Sequence, residues 1–172
     1  MSKSVKEKRV KAVPVWLGIL VFLAAFGAGV VSKTAVKPAW SKDYSVQWSD
    51  ALGTLKADLP YGEGEANKFD LYLPAAGGRD SYGLVVYLHA GGFTMGDKAD
   101  DRDMLAWLCS KGYVAAGINY TLRDEAHPEA SVLTQSTEIK AAVPQVIQAA
   151  EEAGYPIDKM TVAGGSAGHC LA

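Results

Sequence analysis

The sequence predicts an α/β domain, a parallel sheet with helices on both faces, led by an apolar N-terminal segment. Three observations predict it. Strand-like and helix-like stretches alternate between residues 83 and 163. Two of the strand-like stretches, Gly83–His89 (GLVVYLH) and Tyr113–Tyr120 (YVAAGINY), are nearly continuous apolar runs, as expected of strands covered on both faces. Ala12–Val31 carries no charged residue at all. A chain of 172 residues with 49% hydrophobic side chains has material for one globular domain with its own core. The formal net charge of -2 speaks against a broad nucleic-acid surface.

Residues 1–11 hold Lys3, Lys6, Lys8, Arg9 and Lys11 against Glu7, a basic cluster expected to stay in the cytoplasm. Residues 12–31 (AVPVWLGILVFLAAFGAGVV) are long enough to cross a bilayer as a helix, which takes about 20 apolar residues. The run also ends in small residues, Ala25, Gly27, Ala28 and Gly29, as a cleaved signal does, although a signal core is usually only about 7–15 residues. Anchor or signal, the segment sends the domain out of the cytoplasm, membrane-bound or secreted. A buried core helix fits less well, because every face is apolar. Residues 32–50 read as a linker, and residues 51–172 as the globular part.

Gly53–Pro60 and Lys68–Pro74 read as strands, with Tyr61–Ala66 as the turn between them. In KFDLYLP, Phe69, Leu71 and Leu73 point one way and Asp70 and Tyr72 the other, which suggests an antiparallel pair at a sheet edge. Asp101–Lys111 reads as a short helix with Met104, Leu105 and Leu108 at helical spacing and Gly112 as its stop. Ser136–Ala153 reads as a longer one on Ile139, Val143, Val146, Ile147 and Ala150, with Pro144 marking a kink or a restart. Met160–Ala163 is a last short buried strand running into Gly164.

Two motifs carry chemistry. Gly164-Gly165-Ser166-Ala167-Gly168 fits G-x-S-x-G, which needs a strand, a sharp turn and a helix around the serine. Side chains two positions before and after the serine would collide with neighbouring backbone, so Gly164 and Gly168 are small. Standing alone the motif is a weak signal, and a glycine-rich turn without chemistry is the alternative reading of these five residues. The second motif, His89-Ala90-Gly91-Gly92-Phe93, follows the first buried strand. Glycines there let backbone N–H groups approach the oxygen that becomes negative when an ester is attacked. Each motif follows a strand expected in the parallel sheet, at the end where ligands of such sheets bind. Cys109 and Cys170 lack metal-ligand spacing and read as small buried apolar side chains. The acidic run Asp97, Asp100, Asp101 and Asp103 suits a solvated helix start better than a metal site. No metal and no cofactor is implied.

HAGGF followed by GGSAG resembles the HGGG-containing esterase/lipase branch of the α/β-hydrolases, and the bacterial carboxylesterases of the acetylxylan and feruloyl esterase group in particular. YGEGEANKFDLYLP is similar to the edge hairpin of those enzymes, and GINYTL to their strand end. The resemblance spans about Asp58 to Ala172. It implies the N-terminal half of an α/β-hydrolase fold. It implies a serine esterase with Ser166 as nucleophile and the N–H groups of Gly91, Gly92 and Ala167 as oxyanion hole. His89 then braces the loop, and Ala90 replaces a motif glycine. His169 stands where a second glycine is common, too close to Ser166 along a helix to act as its base. The family order of serine, acid and histidine implies that the acid and the base lie beyond Ala172, since His127 precedes the serine. The chain as written is then expected to be inactive alone, with one edge of its sheet open. The substrate implied is a small-molecule or carbohydrate-linked ester. Two alternatives stand beside this: a non-catalytic membrane-anchored binding protein, and a peptidase, amidase or acyltransferase on the same fold.

Overall fold

The computed structural model describes Val15–Ala35 and residues 43–172. The chain divides into two units, Met1–Ser41 and Lys42–Ala172. In the first, helix α1 spans Val15–Ala35. Phe22 and Phe26, one turn apart, stack with ring centroids 6.2 Å apart. Among the described residues no helix is long and apolar enough to cross a membrane. The basic residues 1–11 and the first three residues of the expected segment 12–31 lie outside the described residues.

The second unit orders its elements as β1 (Gly53–Pro60), β2 (Lys68–Pro74), β3 (Tyr82–Leu88), α2 (Arg102–Ser110), β4 (Val114–Ile118), α3 (Val132–Glu152), β5 (Ile157–Gly164) and α4 (Ala167–Leu171). The five strands form one mixed sheet in the order β1-β2-β4-β3-β5. β2 runs antiparallel to both β1 and β4, while β3 runs parallel to β4 and β5. The expected hairpin therefore sits at one edge, with β1 outermost. β5 forms the other edge, paired with β3 alone among the described strands.

Strand alternation divides the core. Leu71, Leu73, Leu84, Val86, Leu88 and Ile118 pack with Ile139 and Val146 of α3. Tyr72 and Ala115 point to the other face and pack with Leu105 and Cys109 of α2. The helices thus cover opposite faces, as the alternating pattern requires. Coverage is less complete than the sequence suggests. In β3 only Tyr82, Leu84, Val86 and Leu88 are fully buried, and their neighbours are half-buried. β5 extends three residues before the expected Met160, and none of its residues is fully buried: Asp158–Thr161 are exposed and the others half-buried. The cause is position: α2 lies over β2 and β4, leaving the second face of the β3–β5 end thinly covered.

Three further boundaries differ from expectation. α3 starts at Val132, four residues before the first helical residue expected. A reciprocal cap between Ser131 and Thr134 sets that start, and Val132 and Leu133 are exposed, so apolar periodicity does not report it. Pro144 lies inside this helix on its exposed side, and the helix neither stops nor restarts there. Part of the expected linker joins the domain: Trp48 meets Tyr72 edge-on at 5.2 Å, and Tyr44 meets Trp107 at the same distance. Of the two cysteines, Cys109 is buried as expected and Cys170 is exposed.

An ion cluster joins the hairpin to the segment before α2. Lys98 Nζ lies 2.8 Å from Asp58 Oδ1 and 3.0 Å from Asp70 Oδ1. Asp58 sits at a register shift of β1 with φ +55°, and its N–H donates to Asp70 Oδ1 at 2.9 Å. Lys98 and Asp70 are both buried, whereas Asp58 is exposed. The ammonium is the only cationic partner of the Asp70 carboxylate among the described residues. Removing one partner of a buried pair strands the other charge, at a cost of about 3–5 kcal/mol. Lys98→Met should lower the unfolding free energy by about that amount in urea titration. A loss below about 1 kcal/mol would show that Asp70 does not depend on the lysine.

Candidate active site

β5 ends in a backbone conformation that costs energy. Ser166 has φ +49° and ψ -112°, a region L residues avoid at an expense of order 1–3 kcal/mol. Its side chain does not cap α4, which begins at the next residue, and Ser166 is exposed. The turn is tight because the elbow crosses the end of β3. A Cβ added at Gly168 would lie 2.1 Å from the Leu88 carbonyl oxygen, and one added at Gly164 would lie 2.5 Å from the Gly168 carbonyl carbon. Gly165 is different, with Tyr87 Oη at 3.6 Å as the nearest atom to a built Cβ. Two of the three glycines are thus demanded by backbone contact.

The loop after β3 lies beside this elbow. Leu88 pairs with Gly164 in the sheet register, and Gly165 N–H donates to the Leu88 carbonyl at 3.3 Å. Gly91, Gly92 and Phe93 follow one another with φ of +140°, +61° and +70°. A Cβ at Gly91 would fall 1.8 Å from the Met95 carbonyl oxygen, so only glycine fits there. The Gly91 carbonyl accepts from the N–H groups of Thr94 and Met95, which closes the turn. Among the described residues, the N–H groups of Gly91, Gly92 and Ala167 donate to no protein acceptor. The Ala167 donor is part of the serine elbow, and the other two follow Ala90, which faces Gly165.

His89 is buried at the start of this loop, with its ring stacked on Tyr120 at a centroid distance of 4.4 Å. Tyr120 Oη donates to the His89 carbonyl at 3.1 Å. His89 Nδ1 lies 2.8 Å from the Ala90 carbonyl, which can only accept, so Nδ1 carries the proton. Ala90 contributes its carbonyl to the bracing, and its Cβ faces Gly165. The other end of the loop is tied as well: Lys98 N–H donates to Asn119 Oδ1, and Asn119 Nδ2 donates to Asp97 Oδ2, both at 2.7 Å.

The remaining candidates stand apart. His127 is exposed and pairs with Asp124 at 3.0 Å. It lines a cavity of about 470 Å³ with Thr121, Leu122, Asp124, Thr134 and Glu138, a wall that includes neither Ser166 nor Gly91 nor Gly92. His169 is exposed on α4 and gives its backbone N–H to the Ser166 carbonyl. The acidic run forms a reciprocal cap between Asp97 and Asp100 at a short 3-10 turn, Lys98–Asp101. Burial, together with Asp100 beside it, pushes the Asp101 carboxyl up to about 6. Among the described residues no cluster of histidine, cysteine or acidic groups could hold a metal.

Sequence reasoning passed over Lys98, Asn119, Gly96 and Gln135. Gly96 had a readable signal, glycine beside a charged turn: with φ +104°, a Cβ there would strike the Ala90 carbonyl at 2.2 Å. Lys98 and Gln135 had none, since their partners lie outside their own elements, 14 to 42 residues away in the chain.

The crossing makes a paired prediction. Gly168→Ala should destabilise the domain by about 1–3 kcal/mol or more through overpacking, whereas Gly165→Ala should stay within about 0.5 kcal/mol. Thermal melts of the two variants decide it, and equal effects would contradict the crossing geometry.

Comparison with known proteins gives this arrangement a context. The BD-FAE family model matches residues 69–172, more than half of the chain. The kynurenine formamidase of Salmo salar is 32% identical over 91 residues, 53% of this chain and 29% of that protein. Esterase B of Lactobacillus rhamnosis superposes with a TM-score of 0.63 at 23% identity, over 90% of this chain and 47% of the esterase. Esterase 2 of Thermogutta terrifontis gives 0.57 at 26% identity, over 70% and 42%. The chain therefore spans less than half the length of these solved esterases, and its match covers under a third of the curated relative. On the family match and the shared α/β-hydrolase fold, the chain belongs to the BD-FAE family of esterase-type α/β-hydrolases.

Proposed function

We propose that this protein hydrolyses carboxylic esters through an acyl-enzyme on Ser166. The observation that carries the reading is the strained, exposed serine beside three unspent backbone donors. Ser166 Oγ attacks the carbonyl carbon and the carbonyl oxygen becomes an oxyanion. The N–H groups of Gly91, Gly92 and Ala167 receive that charge, and loss of one such donor typically costs about 2.7–4 kcal/mol. Collapse expels the alcohol, and water then releases the acid and restores the hydroxyl. His89 and Ala90 hold the donor loop, while Gly164 and Gly168 permit the elbow.

The reading needs a general base. His89 is buried and committed to Ala90, His127 is paired with Asp124, and His169 sits one turn along α4. The base and its acid are therefore to be supplied from outside the described residues. The substrate is a small-molecule or carbohydrate-linked ester. A second reading, hydrolysis of an amide, draws on the likeness to kynurenine formamidase. Residues 12–31 place the domain outside the cytoplasm in this proposal, as an anchor or as a cleaved signal.

In the protein as its source cell makes it, Ser166→Ala should lower kcat/KM for 4-nitrophenyl acetate by about 10³-fold or more. Retention of activity would refute the assignment. A larger kcat/KM for an aryl formamide than for the matching ester would favour the amide reading. The location is tested separately by carbonate extraction and N-terminal sequencing. Retention in membranes indicates an anchor, a new N-terminus near residue 30 indicates a cleaved signal, and an intact soluble protein refutes both.

A further inference from the structure

Gln135 is fully buried in the first turn of α3, and the reaction described above makes no use of it. Its Nε2 donates two hydrogen bonds of 2.9 Å, one to the Phe93 carbonyl and one to the Thr121 carbonyl. Both acceptors are carbonyls, so only the amide nitrogen can face them, and the orientation of the side chain is settled by its partners. Its Oε1 is buried without a partner among the described residues. A buried polar group half satisfied in this way costs stability. The two bonds from Nε2 set against that cost both reach the exits of adjacent strands, β3 and β4.

Phe93 is the place where such a hold matters. It is a bulky residue at φ +70°, the third of three successive residues with positive φ, and it directly follows Gly92. A conformation of this kind persists only where the surroundings over-determine it. The Phe93 carbonyl has two such donors, Gln135 Nε2 and the Arg123 N–H at 3.1 Å. A Cβ built at Gly92 would meet no atom within 4 Å beyond its two chain neighbours, so no packing contact restrains that side of the residue. With no side-chain packing there, the hydrogen bonds that follow Gly92 are what hold this stretch of the loop.

We infer that Gln135 is the positioning residue of the oxyanion loop, clamping the peptide after Phe93 to the exit of β4 so that the donors of Gly91 and Gly92 stay aimed at the elbow. The inference rests on the reading of Ser166 as nucleophile. Gln135 touches no reacting atom and acts through Phe93.

The test uses the protein as its source cell makes it, with 4-nitrophenyl acetate as substrate and phenylboronic acid as a tetrahedral mimic. Gln135→Met keeps the volume and removes both donors. It should lower kcat about 10²-fold, leave KM within about threefold, and weaken phenylboronic acid in proportion to kcat. A kcat within about twofold of the parent, or a loss carried wholly by KM, overturns the inference. Should that variant fail to fold, Gln135→Glu puts the same question by pH. The protonated acid donates one bond and the carboxylate none, so its kcat relative to the parent should rise on acidification. A parallel pH profile overturns the inference. Ser166→Ala, assayed alongside, separates the two levels. If it stays active, the nucleophile reading falls and takes Gln135's role with it. If it is dead while Gln135→Met keeps the parent kcat, the role of Gln135 alone falls.

Discussion

The backbone crossing at the end of β3 is the constraint on which this structure turns. Leu88 leaves the sheet beside Gly164, and the elbow passes so close that neither Gly164 nor Gly168 has room for a Cβ. That closeness forces Ser166 into its positive-φ conformation and out toward solvent. It also brings the two motifs together, because the loop that follows Leu88 is the glycine-rich one. Sheet register thus sets the chemistry: displacing β5 by one residue against β3 would turn the serine to the wrong face.

The rest of the domain works to hold that loop. Its entrance is braced by the His89–Tyr120 stack and the tyrosine hydroxyl, and its exit by Asn119 and the Lys98–Asp70 pair. The hairpin contributes at a distance, since Asp70 belongs to β2 and Asp58 to β1. Charge burial is expensive, and here it falls where a glycine-rich turn, poor in side-chain contacts of its own, needs an external tether. The mixed sheet suits this division of labour. The edge hairpin supplies the tethers and the parallel strands supply the chemistry at their carboxyl ends.

Much of this was legible in the sequence, and for identifiable reasons. KFDLYLP alternates, so its two faces and its hairpin could be read directly, and the structure sends Leu71 and Tyr72 to opposite clusters. GGSAG and HAGGF are local patterns whose sterics do not depend on remote residues. Burial of β5 was misread because apolar composition reports what a strand tolerates, not what covers it. The start of α3 was misread because a Ser–Thr cap, and not periodicity, places it. Lys98 went unread inside the acidic run Asp97–Asp103. Only the fold brings it to Asp70, 28 positions back in the chain. Trp48 and Tyr44 carried no period at all, so their packing could not be foreseen. Local sterics are written in short words of sequence, while tethers are written in pairs of distant residues.

The central claim is that Ser166 is a nucleophile facing an oxyanion hole, and covalent capture tests it most directly. The protein as its source cell makes it would be treated with a fluorophosphonate, digested and mapped by mass spectrometry. The account predicts one adduct, on the peptide containing Ser166, abolished in Ser166→Ala. An adduct on another residue, or none at saturating reagent with the fold intact, would contradict it.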